Sequence, residues 1–169
     1  MSEELIFLKE LSEEMKTQDK NSQAAPRFWT LMDYKWEPTG DDWAEAYHYF
    51  DGEYTWKTVE EFIDYLEKEF DGSYATEISD DIDLEELINS INMQENTDFR
   101  SIPVKKESFI VPNTMFLTKV EAEEHIKQNS YHYSNKVHTY SMTAWRAPKV
   151  KKLLKILENF DWERLSPNQ

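Results

Sequence analysis

Apolar and polar positions alternate most legibly between Thr114 and Phe160. Met115, Phe116 and Leu117 form a short apolar run that leads into Thr118, and Glu121 follows three residues later. A threonine and a glutamate at that spacing satisfy free amides in a first helical turn, so a helix is predicted from Thr118 to about Gln128. The polar loop Asn129–Asn135 ends it. Val137 to Trp145 then alternates as a strand does, with His138, Tyr140, Met142 and Ala144 on one side. Pro148 suits a first helical turn. Val150, Leu153, Leu154, Leu157 and Phe160 recur behind it at helical spacing.

The rest of the chain carries similar signals. Ser2 to Lys16 reads as a helix with Leu5, Leu8, Leu11 and Met15 inward. Because so short a helix is marginal alone, its apolar side is expected to pack on the last helix. Arg27 to Trp36 reads as a strand with Phe28, Met32, Tyr34 and Trp36 on one face. Asp51-Gly52 lies between two aromatic runs and predicts a two-residue hairpin turn. Thr58 and Glu61 repeat the capping pattern, Val59, Phe62, Ile63, Leu66 and Phe70 give a helix face, and Gly72 stops it. Asp83 opens a further helix, with Glu86 as capping partner and Leu84, Leu87, Ile88 and Ile91 inward. Asn92 to Ser101 reads as irregular, and Phe109 to Val111 as a strand that Pro112 confines to an edge or bulge. These elements predict an α+β fold: a mixed or antiparallel sheet of four to six strands, with helices on one face. The expected organisation is a single domain over 1–169, with 37–98 as an acidic helical insert between the terminal halves.

Charge sharpens this division. The net charge is −15, yet residues 1–100 hold 27 acidic and 8 basic side chains while 101–169 hold 7 and 11. Between Glu37 and Asp98, 20 carboxylates face only Lys57 and Lys68. Phosphate would be repelled by such a chain, so direct nucleic-acid binding is not expected and a basic protein surface is the natural partner. There is no cysteine, which excludes disulfides and thiolate chemistry. No leader or membrane-spanning stretch is visible, so a cytoplasmic protein without membrane partners is expected. The sequence sets no oligomeric state.

Candidate chemistry is sparse. With only Gly40, Gly52 and Gly72 available, no phosphate-cradling glycine loop can be built, and nucleophile-elbow and zinc-helix motifs are missing too. His125, His132 and His138, with Glu121 or Glu124, fall close in sequence but match no metal-ligand spacing. Asp33 and Lys35 on one strand suggest a metal-dependent nuclease, with Glu13 or Glu14 as a further ligand, but no intermediate acidic strand residue accompanies them. Arg146, Lys149, Lys151, Lys152 and Lys155 on the last helix read as a solvated face. The expectation is a non-enzymatic protein without metal or cofactor.

The acidic helix has more to say. Glu60, Asp64, Glu67 and Asp71 fall at i, i+4, i+7 and i+11, forming one stripe beside the apolar face. Like charges at that spacing cost a helix about 0.2–0.5 kcal/mol a pair. With Glu61 and Glu69, six carboxylates lie along about 20 Å of helix, roughly half the linear charge density of duplex DNA. Such a surface can stand in for nucleic acid, although an acidic face that merely aids solubility has the same composition. Together with Asp80, Asp81, Asp83, Glu85 and Glu86, the residues Glu60, Asp64 and Glu67 are the candidate partner-binding set.

Two terminal segments, LKELSEEMKTQD…AAPRF over 8–28 and FLTKVEAEEHIKQ…KLLKIL over 116–157, resemble a family of small uncharacterised bacteriophage and prophage proteins. About 60 residues carry the resemblance, and the acidic middle lies outside it. The family brings no established activity. Residues matching its polar motif positions are Gln18, Asp19, His132, Tyr133, Trp145 and Arg146, and they define an alternative pocket for a small ligand or nucleotide. The resemblance implies an accessory protein acting in the host cytoplasm. By association, it implies inhibition of a host nucleic-acid-handling defence protein of the anti-CRISPR or anti-restriction type.

Overall fold

The computed structural model describes residues 2–19, 24–70, 74 and 83–162. Five helices and a five-stranded antiparallel sheet give the expected α+β fold. In chain order they are α1 (Glu3–Thr17), β1 (Arg27–Pro38), β2 (Ala46–Phe50), β3 (Thr55–Trp56), α2 (Val59–Glu69), α3 (Leu84–Glu95), β4 (Arg100–Ile110), α4 (Lys119–Gln128), β5 (His138–Thr143) and α5 (Pro148–Asn159). Short 3-10 turns occupy Asp41–Trp43 and Ser130–His132. The strand order is β3-β2-β4-β1-β5. The chain forms two compact units, Met1–Tyr34 with Ser108–Gln169 and Lys35–Glu107, and β1 and β4 contribute residues to both.

In the first unit, capping works as the residues dictate. The Thr118 hydroxyl accepts from the Glu121 amide at 3.3 Å, and the Glu121 carboxylate accepts from the Leu117 amide at 3.2 Å. Leu11 and Met15 of α1 pack with Leu154 of α5 and with Ala144, so the chain's ends share one core. The register of α5 differs from the sequence reading, because Leu154 is buried while Leu153 is 55% exposed. Val150, Leu154 and Leu157 form the inward line at i, i+4 and i+7, and Leu153 sits to its side. Leu5 and Leu8 are only half-buried.

Strand β1 also reads differently. Its most buried side is Trp29, Leu31 and Asp33, the alternate set to Phe28, Met32, Tyr34 and Trp36. Trp29 and Leu31 pack with Ala122 of α4, whereas Phe28 joins the core of α1 and α5. Adjacent strand residues point to opposite faces, so at its start β1 meets α1 and α5 through Phe28, and α4 through Trp29 and Leu31.

The second unit has its own core of Tyr49, Phe62, Leu66, Tyr74, Leu87, Ile88, Ile91 and Phe99. Strand β4 begins at Arg100, where the sequence reading placed irregular chain up to Ser101 and strand only from Phe109. Pro103 lies inside it, opposite Tyr47, and still serves the structure because its carbonyl accepts from the Thr39 amide at 2.9 Å. The hairpin loop has four residues instead of two, since Phe50 pairs with Thr55 and Tyr49 with Trp56. Asp51 folds the loop with its own side chain, which accepts from the amides of Glu53 (2.8 Å) and Tyr54 (2.6 Å). Gly52 takes φ +102°, a region that favours glycine. No helix among the described residues is long and apolar enough to cross a membrane.

Candidate functional site

Charge follows the division into units. The Lys35–Glu107 unit carries 21 acidic and 6 basic side chains, a net −15, while the other unit carries 13 of each. The whole excess therefore belongs to one compact body.

Helix α2 shows how this charge is displayed. The Thr58 hydroxyl accepts from the Glu61 amide at 3.2 Å, and the Glu61 carboxylate answers by accepting from the Lys57 amide at 2.9 Å. Thus fixed, the helix buries Phe62 and Leu66 completely and turns Glu60, Asp64 and Glu67 to solvent. The Glu60 backbone amide and the Thr58 hydroxyl hold the Glu60 carboxyl below its ordinary value, as an anion at a helix start should be. Asp71 and Gly72 lie outside the described residues, as do Asp80 and Asp81.

Asp83 caps α3 by accepting from the Glu85 amide at 3.0 Å. The predicted reciprocal bond from Glu86 is not made among the described residues, and Glu86 is exposed together with Asp83 and Glu85. Across from this helix start lies a cleft of about 500 Å³ within the same unit. Asp41 from the 3-10 turn, Tyr47 and Tyr49 from β2, and Asp83, Glu85 and Ile88 from α3 line it. The Tyr47 hydroxyl is 3.4 Å from an Asp41 carboxylate oxygen. The Tyr49 side chain is 98% buried, its ring stacked on Phe62 at 4.8 Å, and its hydroxyl makes no hydrogen bond with the described residues. Burial, with Glu60 and Tyr47 nearby, pushes the Tyr49 hydroxyl above its ordinary value.

Sequence reasoning found Asp83 and Glu85 but missed Asp41, Tyr47 and Tyr49. The only signal was the pair of tyrosines on one side of a strand behind an acidic loop. Nothing local says that a helix start some forty residues later faces them.

The six residues of the alternative pocket contact several different neighbours. Gln18 accepts from the Trp29 indole (2.5 Å) and the Lys119 amide (3.3 Å), and the Asp19 carboxylate pairs with Lys119 at 3.1 Å. The Tyr133 hydroxyl meets His125 Nε2 at 2.9 Å. His132 lies against Tyr131, and Arg146 covers Trp145 at 4.4 Å, with Trp145 59% exposed. Gln18 also lines a small cavity beside Met15 and Arg27.

Asp33 is an anchor for a loop. Its carboxylate accepts from the Ser134 amide (2.9 Å), the Tyr34 amide (2.8 Å) and the Ser134 hydroxyl. Lys35, the other half of the nuclease pair, bonds to Glu37. His125, His132 and His138 have separate partners, and no three potential metal ligands come together among the described residues.

Burial pushes Asp33 upward, but the bonds from Ser134 and Tyr34, with His138 nearby, outweigh it and hold the carboxyl below its ordinary value. A depressed carboxyl stabilises the fold fully above the unfolded value, and that contribution disappears as pH falls through the folded one. Asp33→Asn should therefore cost about 1–3 kcal/mol at pH 7. The gap from the parent should narrow below about pH 4. Urea unfolding between pH 7 and pH 3 measures both, and a gap constant over that range would contradict the assignment.

Comparison with protein-family models, with curated proteins and with solved structures finds no match.

Proposed function

We propose that the chain is a phage-encoded accessory protein. It binds a host defence protein that handles nucleic acid, of the anti-CRISPR or anti-restriction type, and inhibits it by occupying the basic groove meant for nucleic acid. The observation that carries this reading is the segregation of charge, with all of the −15 on the Lys35–Glu107 unit. A solubilising surface has no need to collect its charge on one body. Glu60, Asp64 and Glu67 on one helix, and Asp83, Glu85 and Glu86 on another, are all exposed above a packed aromatic core. A rigid support keeps the charges from scattering when they meet Lys and Arg, which lowers the entropy cost of binding.

The test is inhibition of DNA cleavage by a panel of restriction enzymes and CRISPR effectors from hosts of such phages. Inhibition should weaken steeply between low and physiological salt, because exposed charges are screened over about 8–10 Å. A variant carrying Glu60→Lys, Asp64→Lys and Glu67→Lys loses three attractions and gains three repulsions. Exposed pairs contribute about 0.2–1 kcal/mol each, so the six changes together should lower affinity by about tenfold to about ten-thousandfold. Inhibition that survives the triple reversal unchanged would remove the acidic face from the mechanism.

A further inference from the structure

We propose that the cleft walled by Asp41, Tyr47, Tyr49, Asp83 and Glu85 receives an arginine side chain of the basic partner protein. This inference rests on the reading of the acidic unit as a receptor for such a partner, and it names the point where that partner is gripped.

Four features converge on this ligand. The rim supplies carboxylates from two elements, Asp41 from the 3-10 turn and Asp83 with Glu85 from the start of α3. A guanidinium meets such a set well, because its five N–H groups fan out in a plane and one head can bond several acceptors. The walls supply apolar surface from Ile88 and Pro103, suited to the methylene stem of a long cationic side chain. Tyr47, 42% exposed, offers a ring face to the cation.

The fourth feature is the Tyr49 hydroxyl. Tyr49 lines the cleft, and its hydroxyl bonds to none of the described residues; the oxygen is not among the fully buried atoms lacking a partner, so it is open to a donor. Its oxygen can accept from a guanidinium N–H, and it remains a hydroxyl because burial disfavours the phenolate. A volume of about 500 Å³ accommodates more than one side chain, so the arginine enters with its flanking backbone. That fits a surface loop of a folded protein.

The experiment titrates the full chain with a blocked glycine–arginine–glycine peptide and follows backbone amides by two-dimensional NMR. Shifts should gather at Tyr47, Tyr49, Glu85 and Ile88. The matching citrulline peptide, isosteric but uncharged, should bind about tenfold more weakly or worse. Tyr49→Phe keeps the ring and its stacking on Phe62, so the fold persists, and loss of the single oxygen should weaken the arginine peptide about tenfold. Reversal of Asp64 and Glu67 alone, with Glu60 kept because it lies near the Tyr49 hydroxyl, should leave peptide binding within about threefold, since those two charges lie outside the cleft lining and act through screened solvent.

Equal binding of the arginine and citrulline peptides, or no effect of Tyr49→Phe, would overturn the inference. Spermidine binding more tightly than the peptide would also overturn it, in favour of a small polyamine ligand. Shifts absent from the cleft, with enzyme inhibition still sensitive to the α2 reversal, would remove the cleft and leave the proposed function standing. Cleft binding with no enzyme inhibited would keep the arginine site and remove the proposed function.

Discussion

Phe62→Ala should destabilise the protein by about 3–5 kcal/mol, a large share of the margin on which a domain of this size folds. Phe62 is completely buried and lies at the centre of an aromatic cluster. Its ring stacks on Tyr49 with centroids 4.8 Å apart and planes 7° from parallel, and Trp56 and Phe99 approach it at 5.3 Å each. Each aromatic pair contributes about 0.5–1.5 kcal/mol beyond the area it buries. Truncation therefore removes the transfer energy of the ring and three ring contacts, and leaves a cavity between α2 and the strands. The midpoint of urea unfolding measures the loss, with Phe62→Leu expected to lose clearly less because it refills most of the space. A cost below about 1 kcal/mol for the alanine variant would mean that the cluster does not hold the acidic unit together.

The same cluster connects stability to the proposed binding surface. Glu60, Asp64 and Glu67 stand on the helix that Phe62 and Leu66 fasten down, and Tyr49 lines the cleft from the other side of the stacked pair. A unit with 21 acidic side chains repels itself, and a dense aromatic core is what offsets that repulsion. Without it, carboxylates on α2 and α3 would gain by moving apart, and the surface would lose its shape before it lost its charge.

Local grammar was legible in the sequence because its causes are local. Thr58 with Glu61, and Thr118 with Glu121, begin helices through bonds that span three or four residues. The α+β class followed from the same periodicities. Register was less legible. Leu153 and Leu154 are adjacent and identical, so spacing alone cannot say which faces the core, and the packing of α1 decides for Leu154. On β1 the aromatic set Phe28, Tyr34 and Trp36 outweighs Trp29 and Leu31 by composition, yet α4 buries the second set.

Strand β4 was hidden by Pro103, Lys105 and Lys106, residues that signal an edge or a loop. It forms because pairing with β2 and the bond from Thr39 to the Pro103 carbonyl come from distant chain. Asp51-Gly52 likewise pointed to a two-residue turn, but the Asp51 carboxylate captures two amides and lengthens the loop. The cleft lay furthest out of reach, since Asp41, Tyr49 and Glu85 come from three separate elements.

Leu154→Ala should cost about 2–5 kcal/mol, whereas Leu153→Lys next to it should change stability by less than about 0.5 kcal/mol. The two leucines are a controlled comparison, alike in helix propensity and one position apart. Leu154 is 1% exposed and packs with Leu11 and Met15 of α1 and with Ala144, while Leu153 is 55% exposed. The 15 residues of α1 are marginal as an isolated helix in water. Leu11, Ser12 and Met15 are its only buried residues, so its folding depends on the surface that α5 offers. Shortening Leu154 should therefore act on α1 as well as on α5, and amide hydrogen exchange should rise across α1 in that variant. Met15→Ala should reproduce the pattern from the other side, and the double variant should cost less than the two single costs together because both remove one shared contact. Equal destabilisation by Leu154→Ala and Leu153→Lys would show that α5 sits in another register and that the chain's two ends are joined by different residues.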